Sequence, residues 1–303
     1  MATGNGPNGG YAWPAAPFSC PICHTRLTPG PDELQCRACD RPYAVVDGVP
    51  QLFLEETLDD EAWEAVDAWD ELSERYGELV ELLGPARFAP IDRPLVAIAR
   101  GDVLEVGCGD GRLLAQLDRR RVRSLTGIDL SPRMALRARE RGFEVAVGQA
   151  ERLPLPDRSF DAVLSGFYSL RYVQLDRAVA EIARVLRPDG RFGLTLQGRR
   201  AVALAARLRG IGLLPRPGQL GLGLRLLLGR ERGAVLPTDV ADLASLDAQF
   251  RARGLAIESL LGTAYLPGLT GPLGRLTGGR LPYLRDGAAA RLGRDLIVLG
   301  RRA

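Results

Sequence analysis

The chain has 303 residues, 46% of them hydrophobic, with a formal net charge of +3. All 40 Lys+Arg positions are Arg and His24 is the only histidine, so a lysine mechanism is excluded, as is an imidazole base in the main body of the chain. Asp, Glu, Tyr or water must do any proton work. The charge is uneven: residues 1–100 hold 7 Arg against 17 acids, and the remainder holds 33 Arg against 20 acids. That asymmetry predicts an anionic partner for the second part, or attraction between the two parts.

Residues 1–17 are rich in Gly, Asn and Pro and read as a disordered tail. They have neither a basic start nor an apolar centre, unlike a secretory signal. No apolar run reaches the 18 residues that would suggest a transmembrane helix. The expected location is the cytoplasm.

Cys20 and Cys23 form one C-x-x-C pair, Cys36 and Cys39 a second, with twelve residues between. Four thiolates on two short knuckles suit tetrahedral Zn²⁺ with no open coordination position, hence a structural site. Two disulfides are the alternative, which an intracellular location disfavours. His24 reads as a surface residue of the knuckle. The segment that follows contains Tyr43 and Val46-Asp47-Gly48-Val49-Pro50. Together with Cys20-Pro21-Ile22-Cys23, it resembles the zinc-ribbon modules that activate tRNA and rRNA methyltransferases and that also occur fused to the front of bacterial methyltransferases. The resemblance covers Phe18 to Leu54; Ala44 stands where Pro is usual.

Residues 55–83 carry twelve Asp or Glu and one Arg. Ala62, Val66, Trp69, Ser73, Tyr76, Val80 and Leu83 recur at helical spacing, which predicts one helix with an acidic outer face. Trp69 and Tyr76 are either core residues or part of a helix that covers a ligand pocket. Gly84-Pro85 ends this helix, and a second short one is expected over 91–99.

From Gly101 the pattern alternates strand and helix. Strands are predicted at 103–106, 124–128, 144–147, 162–164, 191–196, 255–261 and 295–300. Helices are predicted at 111–117, 132–141, 176–186 and 238–253, with Ser131 and Thr238 as N-caps. The fold class is α/β: a Rossmann-like, seven-stranded, mostly parallel sheet with helices on both faces, preceded by the small four-cysteine zinc ribbon. The expected organisation is a tail over 1–17, the ribbon over 18–54, an acidic helical linker or lid over 55–100, and the main domain over 101–303. Gly/Leu/Arg-rich insertions interrupt the main domain at about 198–236 and 266–293.

Chemistry-bearing signals fall at the carboxyl ends of successive strands, where ligands of such sheets sit. The first is Glu105-x-Gly107-x-Gly109-x-Gly111. Asp129 ends the second strand, where a carboxylate can take both hydroxyls of a ribose. A dinucleotide site also wants a Gly-rich turn and a ribose acid, but with G-x-G-x-x-G spacing. Here Glu105 stands where a pyrophosphate would be repelled, and an acid there suits a ligand with a cationic end. Gly148-Gln149-Ala150 and the segments Ser159-Phe160-Asp161 and Arg184-Val185-Leu186 complete the set.

As a set, these motifs resemble the class I S-adenosylmethionine-dependent methyltransferases of the type 11 group. The resemblance implies that Glu105 and the turn Gly107-Cys108-Gly109-Asp110-Gly111 hold the methionine part of the cofactor. It implies that Asp129 binds the ribose and Leu130 packs on the adenine. Gln149 and Ala150 would face the adenine edge, and Ser165 would sit beside the cofactor. Gln149 replaces the usual Asp, though an amide can still accept from the adenine amino group and donate to a ring nitrogen. Leu170-Arg171-Tyr172-Val173 removes a frequent active-site His. Asp189 replaces a turn Gly. Cys108 reads as a packed residue separate from the zinc thiolates.

The substrate-side candidates are Trp69, Tyr76, Tyr168, Arg171 and Tyr172. The first expectation for the acceptor is a small or lipid-like molecule, with possible contact to a membrane surface through 198–236. An rRNA or tRNA base is the second, and a non-catalytic binding or scaffold protein the third.

Overall fold

A computed structural model describes residues 18–30, 33–167, 169–197, 243–263, 284–285 and 295–303. The tail, Thr238, Tyr168 and nearly all of both expected insertions therefore lie outside the described residues.

The N-terminal module is a four-stranded antiparallel sheet in the order β1 (Thr28–Pro29), β2 (Glu33–Cys36), β3 (Arg41–Val46), β4 (Val49–Pro50). Asp47 and Gly48, both at positive φ, form the two-residue turn that pairs Val46 with Val49. Asp-Gly is favoured there because both residues tolerate the left-handed region. Three helices follow: α1 (Asp60–Ser73), α2 (Tyr76–Leu83) and α3 (Pro85–Ile98). The main body then contributes β5 (Gly101–Val106), β6 (Val122–Asp129), α4 (Pro132–Glu140), β7 (Glu144–Val147), β8 (Phe160–Ser165), α5 (Leu175–Val185) and β9 (Leu186–Gln197). It ends with α6 (Leu243–Ala252), β10 (Leu255–Thr263), β11 (Leu284–Arg285) and β12 (Asp295–Arg302).

The sheet order is β11-β10-β12-β9-β8-β5-β6-β7. The seven expected strands are present, and the two-residue β11 extends one edge. Strands β5 to β9 pair in parallel, while β12 lies antiparallel between β9 and β10. The order reverses around β5, and so opens a crevice beyond the carboxyl ends of β5, β6 and β8. Alternation along β5 sends Leu104 and Val106 to one face and Val103 to the other. On the first face they pack with Val179 and Ile182 of α5, Phe250 of α6, and Tyr43 and Leu52 of the N-terminal module. On the second, Val103 packs with Ile91 and Leu95 of α3 and with Ala135 and Ala138 of α4.

The small module joins the edge of the large sheet. Gln51 bridges Val147 of β7 in parallel, and the Leu52 amide donates to the Val147 carbonyl at 2.8 Å. The Ser19 amide donates to the Pro154 carbonyl at 2.8 Å. An edge strand that would otherwise expose unpaired backbone is thereby covered.

Three expected helices differ. The stretch after Gly111 is only a 3₁₀ turn over Leu114–Gln116, because Leu117 is already extended and the chain must return to β6. Leu113, Leu114 and Leu117 are all buried, which accounts for the helical-looking spacing. The single helix expected over 55–83 is a 3₁₀ turn (Glu55–Thr57) followed by α1 and α2. The break falls at the polar member of the stripe: buried Ser73 donates its hydroxyl to the Asp70 carbonyl at 2.7 Å. A Ser side chain bonded to a backbone carbonyl of its own helix bends or interrupts that helix. The helix expected over 91–99 begins earlier, at Pro85, where proline at the first turn is well placed.

Candidate functional site

A cavity of about 340 Å³ opens in the crevice. Its floor is the Glu105–Leu113 turn apart from Gly111, one wall is Ile128–Ser131, and another is Gly148–Arg152. Ala62, Ala65, Val66 and Trp69 of α1 line it, as does Tyr76 at the start of α2. The acidic helical segment thus covers the pocket with its apolar stripe. Its docking is specific: Asp70 accepts hydrogen bonds from the Ser131 hydroxyl and from the Arg133 amide, the latter at 3.2 Å. Ser131 in turn caps α4 by accepting from the Met134 amide at 3.1 Å.

The three turn glycines have different tasks. A Cβ on Gly107 would stand 2.1 Å from the Ser169 Cβ, and one on Gly111 would stand 2.7 Å from the Phe143 ring. Both are packing constraints, and Gly111 does not line the cavity. Gly109, at φ +53°, has nothing within 4 Å of a would-be Cβ and lies on the cavity floor. It is the glycine that leaves room for a ligand.

Most amides of this turn are already used. Gly107 and Cys108 donate to the Ile128 carbonyl at 2.7 and 3.1 Å, and Gly109 donates to the Asp129 carboxylate at 2.7 Å. Gly111 donates to the Cys108 carbonyl and Arg112 to the Asp110 side chain. With those five amides engaged, the turn offers no run of successive free N–H groups to a phosphate, unlike the anion sites built from Gly-rich turns. The floor is acidic instead. Glu105 is 3% exposed, and its Oε2 has no hydrogen-bond partner among the described residues. Burial pushes its carboxyl well above the usual range, with Arg112 opposing and Asp92, Asp129 and Asp110 adding to the rise. Burial also raises Asp129 to about 6, against the lowering effect of the Ser131 and Gly109 amides.

Arg112 is the cation beside this floor. It forms a two-pronged ion pair with Asp92, which is 2% exposed, and its guanidinium stacks 4.3 Å over the Phe88 ring. Gln116 also donates to Asp92, at 2.9 Å. Tyr76 packs edge-on against Trp69 with ring centroids 6.2 Å apart. Burial raises the Tyr76 hydroxyl to about 12, so it stays protonated at neutral pH and is no resting base.

The other expected residues sort as follows. Leu130, Ala150 and Arg171 line the cavity. Ser165 does not: it is fully buried, and its hydroxyl donates to the Val106 carbonyl at 2.9 Å. Cys108 lines the floor but is mainly a packing residue, since a Cβ on Gly127 would lie 2.6 Å from its sulfur. Gln149 lines the wall, yet its Oε1 accepts from the Leu54 amide at 3.1 Å and its Nε2 donates to the Thr57 hydroxyl at 2.9 Å. The Tyr172 side chain is outside what is described. Arg112, Asp92, Asp70 and Phe167 were not expected from sequence. Asp92, a lone acid in the otherwise apolar register of α3, was the available signal. Phe167 has φ +50° at the end of β8 and lines the cavity, a strained backbone that no residue pattern reveals.

In the N-terminal module the four Sγ atoms of Cys20, Cys23, Cys36 and Cys39 lie within 4.8 Å of one another. The Cys20–Cys39 and Cys23–Cys36 separations are 3.9 and 3.5 Å. A disulfide needs about 2.05 Å, whereas a tetrahedron of thiolates about 2.3 Å from Zn²⁺ has edges of about 3.8 Å. The Ile22 and Cys39 amides donate to the Cys20 and Cys36 sulfurs at 3.4 Å each, which suits thiolates held by a cation. The donor set therefore fits zinc.

Residues 104–194 match the family described as a methyltransferase domain. The chain is 33% identical over 123 residues to the uncharacterized methyltransferase YdaC of Bacillus subtilis, an alignment that spans 39% of this chain and 68% of that one. It is 44% identical over 95 residues to the fatty-acid O-methyltransferase of Mycolicibacterium smegmatis, spanning 30% of this chain and 35% of that one. Among solved structures, it shares its fold with an S-adenosylmethionine-dependent methyltransferase of Thermotoga maritima described as a possible histamine N-methyltransferase. That likeness has a TM-score of 0.52 at 21% identity and covers 78% of this chain and 100% of that one. The crevice and its acidic floor thus lie in a domain of a known kind: the chain belongs to the methyltransferase domain family. It spans 35% and 38% of the length of the first two curated relatives it matches.

Proposed function

We propose that the protein transfers a methyl group from S-adenosylmethionine to a small or lipid-like acceptor. The observation that carries the reading is the acidic floor. A buried carboxyl with an oxygen unpartnered among the described residues, Glu105, lies on it with the open position at Gly109, and most amides of the turn are already spent. That floor suits an amino-acid end bearing an ammonium and repels a pyrophosphate. Glu105 would take the ammonium, and Gly109 would let the chain approach. Asp129 would hold the ribose hydroxyls with the lone pairs that Gly109 and Ser131 leave over, and Leu130 and Ala150 would pack on the base.

When bound, the cofactor supplies a methyl group on a sulfonium, already activated for in-line displacement. The protein's part is to align the acceptor and exclude water. The apolar faces of Ala62, Ala65, Val66 and Trp69 exclude water on the α1 side. Tyr76 is a protonated donor rather than a base. A proton from an O–H acceptor would go to solvent or to a carboxylate, since no imidazole stands in the described main body. The same cavity is lined by Arg152, Arg171 and Arg177. An apolar face together with arginines favours an amphiphile with an anionic end, and the fatty-acid specificity in the name of the mycobacterial relative agrees with that. The four-cysteine site would hold structural Zn²⁺.

The test is to incubate purified protein and methyl-labelled cofactor in parallel with a lipid extract and with total rRNA. Label in the lipid fraction is the expected result. Label in RNA would overturn the acceptor class, and absence of cofactor binding by calorimetry would leave a non-catalytic protein.

A further inference from the structure

The segment between the four-cysteine module and the pocket is unusually well tied at both ends. On the module side, Gln51 and Leu52 pair with Val147 of β7. Two residues later the Leu54 amide donates to Gln149 at 3.1 Å in a buried hydrogen bond. Thr57 donates its hydroxyl to the Leu54 carbonyl at 2.8 Å and accepts from Gln149 Nε2 at 2.9 Å. On the pocket side, Thr57, Leu58 and Asp59 line the cavity, and Asp59 caps α1 by accepting from the Ala62 amide at 2.9 Å. Gln149 itself lines the cavity and is 5% exposed. One amide therefore joins the exit chain of the module to the wall and roof of the pocket.

We infer that Gln149 is a positioning residue that couples the four-cysteine module to the ligand pocket, so that zinc and the adenosyl ligand each bind more tightly in the presence of the other. This rests on the cofactor reading above. Glutamine meets both partners at once: its Oε1 accepts from the Leu54 amide and its Nε2 donates to the Thr57 hydroxyl, which leaves that hydroxyl's proton for the Leu54 carbonyl. With zinc in place the knuckles hold the module in register on β7. That register fixes Leu54, and through Gln149 and Thr57 it fixes the strip of chain that forms the pocket wall. Loss of the cluster frees the strip, and ligand affinity falls with it. Because the coupling is a difference of binding free energies, it has the same size in both directions.

The test uses full-length protein and S-adenosylhomocysteine as the probe. Zinc affinity is measured by competition with a chromogenic chelator, with and without the probe. Probe affinity is measured by calorimetry on zinc-loaded and zinc-stripped protein. The expected result is a coupling of about 5- to 10-fold, equal within error in the two measurements. Coupling should vanish in Gln149→Ala and shrink in Thr57→Val, which removes one partner of Gln149 together with the hydroxyl bond to the Leu54 carbonyl. If zinc-stripped protein unfolds, the chelator competition on the loaded wild type and both variants decides alone. A wild type that binds the probe with no change in zinc affinity, or variants that keep the full coupling, would overturn the inference. A wild type that does not bind the probe would overturn the cofactor reading and the inference with it.

Discussion

Glu105 offers the sharpest perturbation. Substitution Glu105→Gln keeps the size of the side chain and removes its ability to become an anion. In the unliganded protein burial holds this carboxyl well above its ordinary value of 4.5. An arriving ammonium favours the ionised form and drives the carboxyl proton off. Below the raised value binding therefore releases a proton, and wild-type affinity for S-adenosylhomocysteine should rise with pH by up to about tenfold per unit until that value is passed. The glutamine variant has no proton to release and should show neither effect. A hydrogen bond to a charged group is worth about 1.5–3 kcal/mol, so the variant should bind about 10- to 150-fold more weakly, with the gap widening as pH rises.

Stability moves the other way. A carboxyl whose folded value lies above its unfolded value contributes stability that is fully present below 4.5 and is lost as pH rises through the folded value. The unliganded wild type should thus lose stability over that window, while the glutamine variant does not. The variant should melt higher than wild type at neutral pH and yet bind worse. Calorimetric titration in buffers of different ionisation enthalpy reads the proton, and thermal melts at several pH values read the stability. A variant that binds as tightly as wild type, with the same proton release, would refute the assignment of Glu105 to the cationic end.

Further substitutions separate packing from binding. Gly111→Ala meets both positive φ and the Phe143 ring, and should cost about 2–5 kcal/mol of stability in a denaturant titration. Gly109→Ala has open space around it and should cost about 1–2 kcal/mol of stability, while its methyl group weakens probe binding in calorimetry. Asp92→Ala leaves the Arg112 guanidinium, 16% exposed, without its carboxylate and should lower stability by about 3–5 kcal/mol in the same titration. Asp70→Ala removes the acceptor for Ser131 and Arg133, and should raise amide exchange across α1 more than across α4.

The strands were legible because each is a short apolar run whose alternation survives burial on both faces. Val103 and Leu104 are completely buried on opposite sides of β5, and both read as core from sequence. The helix boundaries were less legible for local reasons. The apolar stripe of 55–83 runs on through Ser73, and only the bond from its hydroxyl to the Asp70 carbonyl shows that the helix stops there. The glycines of the turn were visible as a group, but their division of labour was not. Phe143 and Ser169, which dictate two of them, lie far away in sequence.

The largest gap concerned the relation between the parts. Composition and cysteine spacing read as a small module ahead of a separate domain. In the structure Tyr43 and Leu52 share one core with Leu104 and Val106, so the two parts bury apolar surface together. The joint is made by partners such as Leu54 and Gln149, 95 positions apart, whose residue types carry no mark of their meeting. Even so, the sequence held one hint. Gln149 stands where the related motif has an acid, and it looked like a tolerated change in a cofactor contact. It lines the cavity, and its amide also faces the backbone of the incoming chain, where a carboxylate could accept from Leu54 but could not donate to Thr57. A departure from a motif is thus better read by asking which neighbour needs the new donor than by asking whether the old ligand survives.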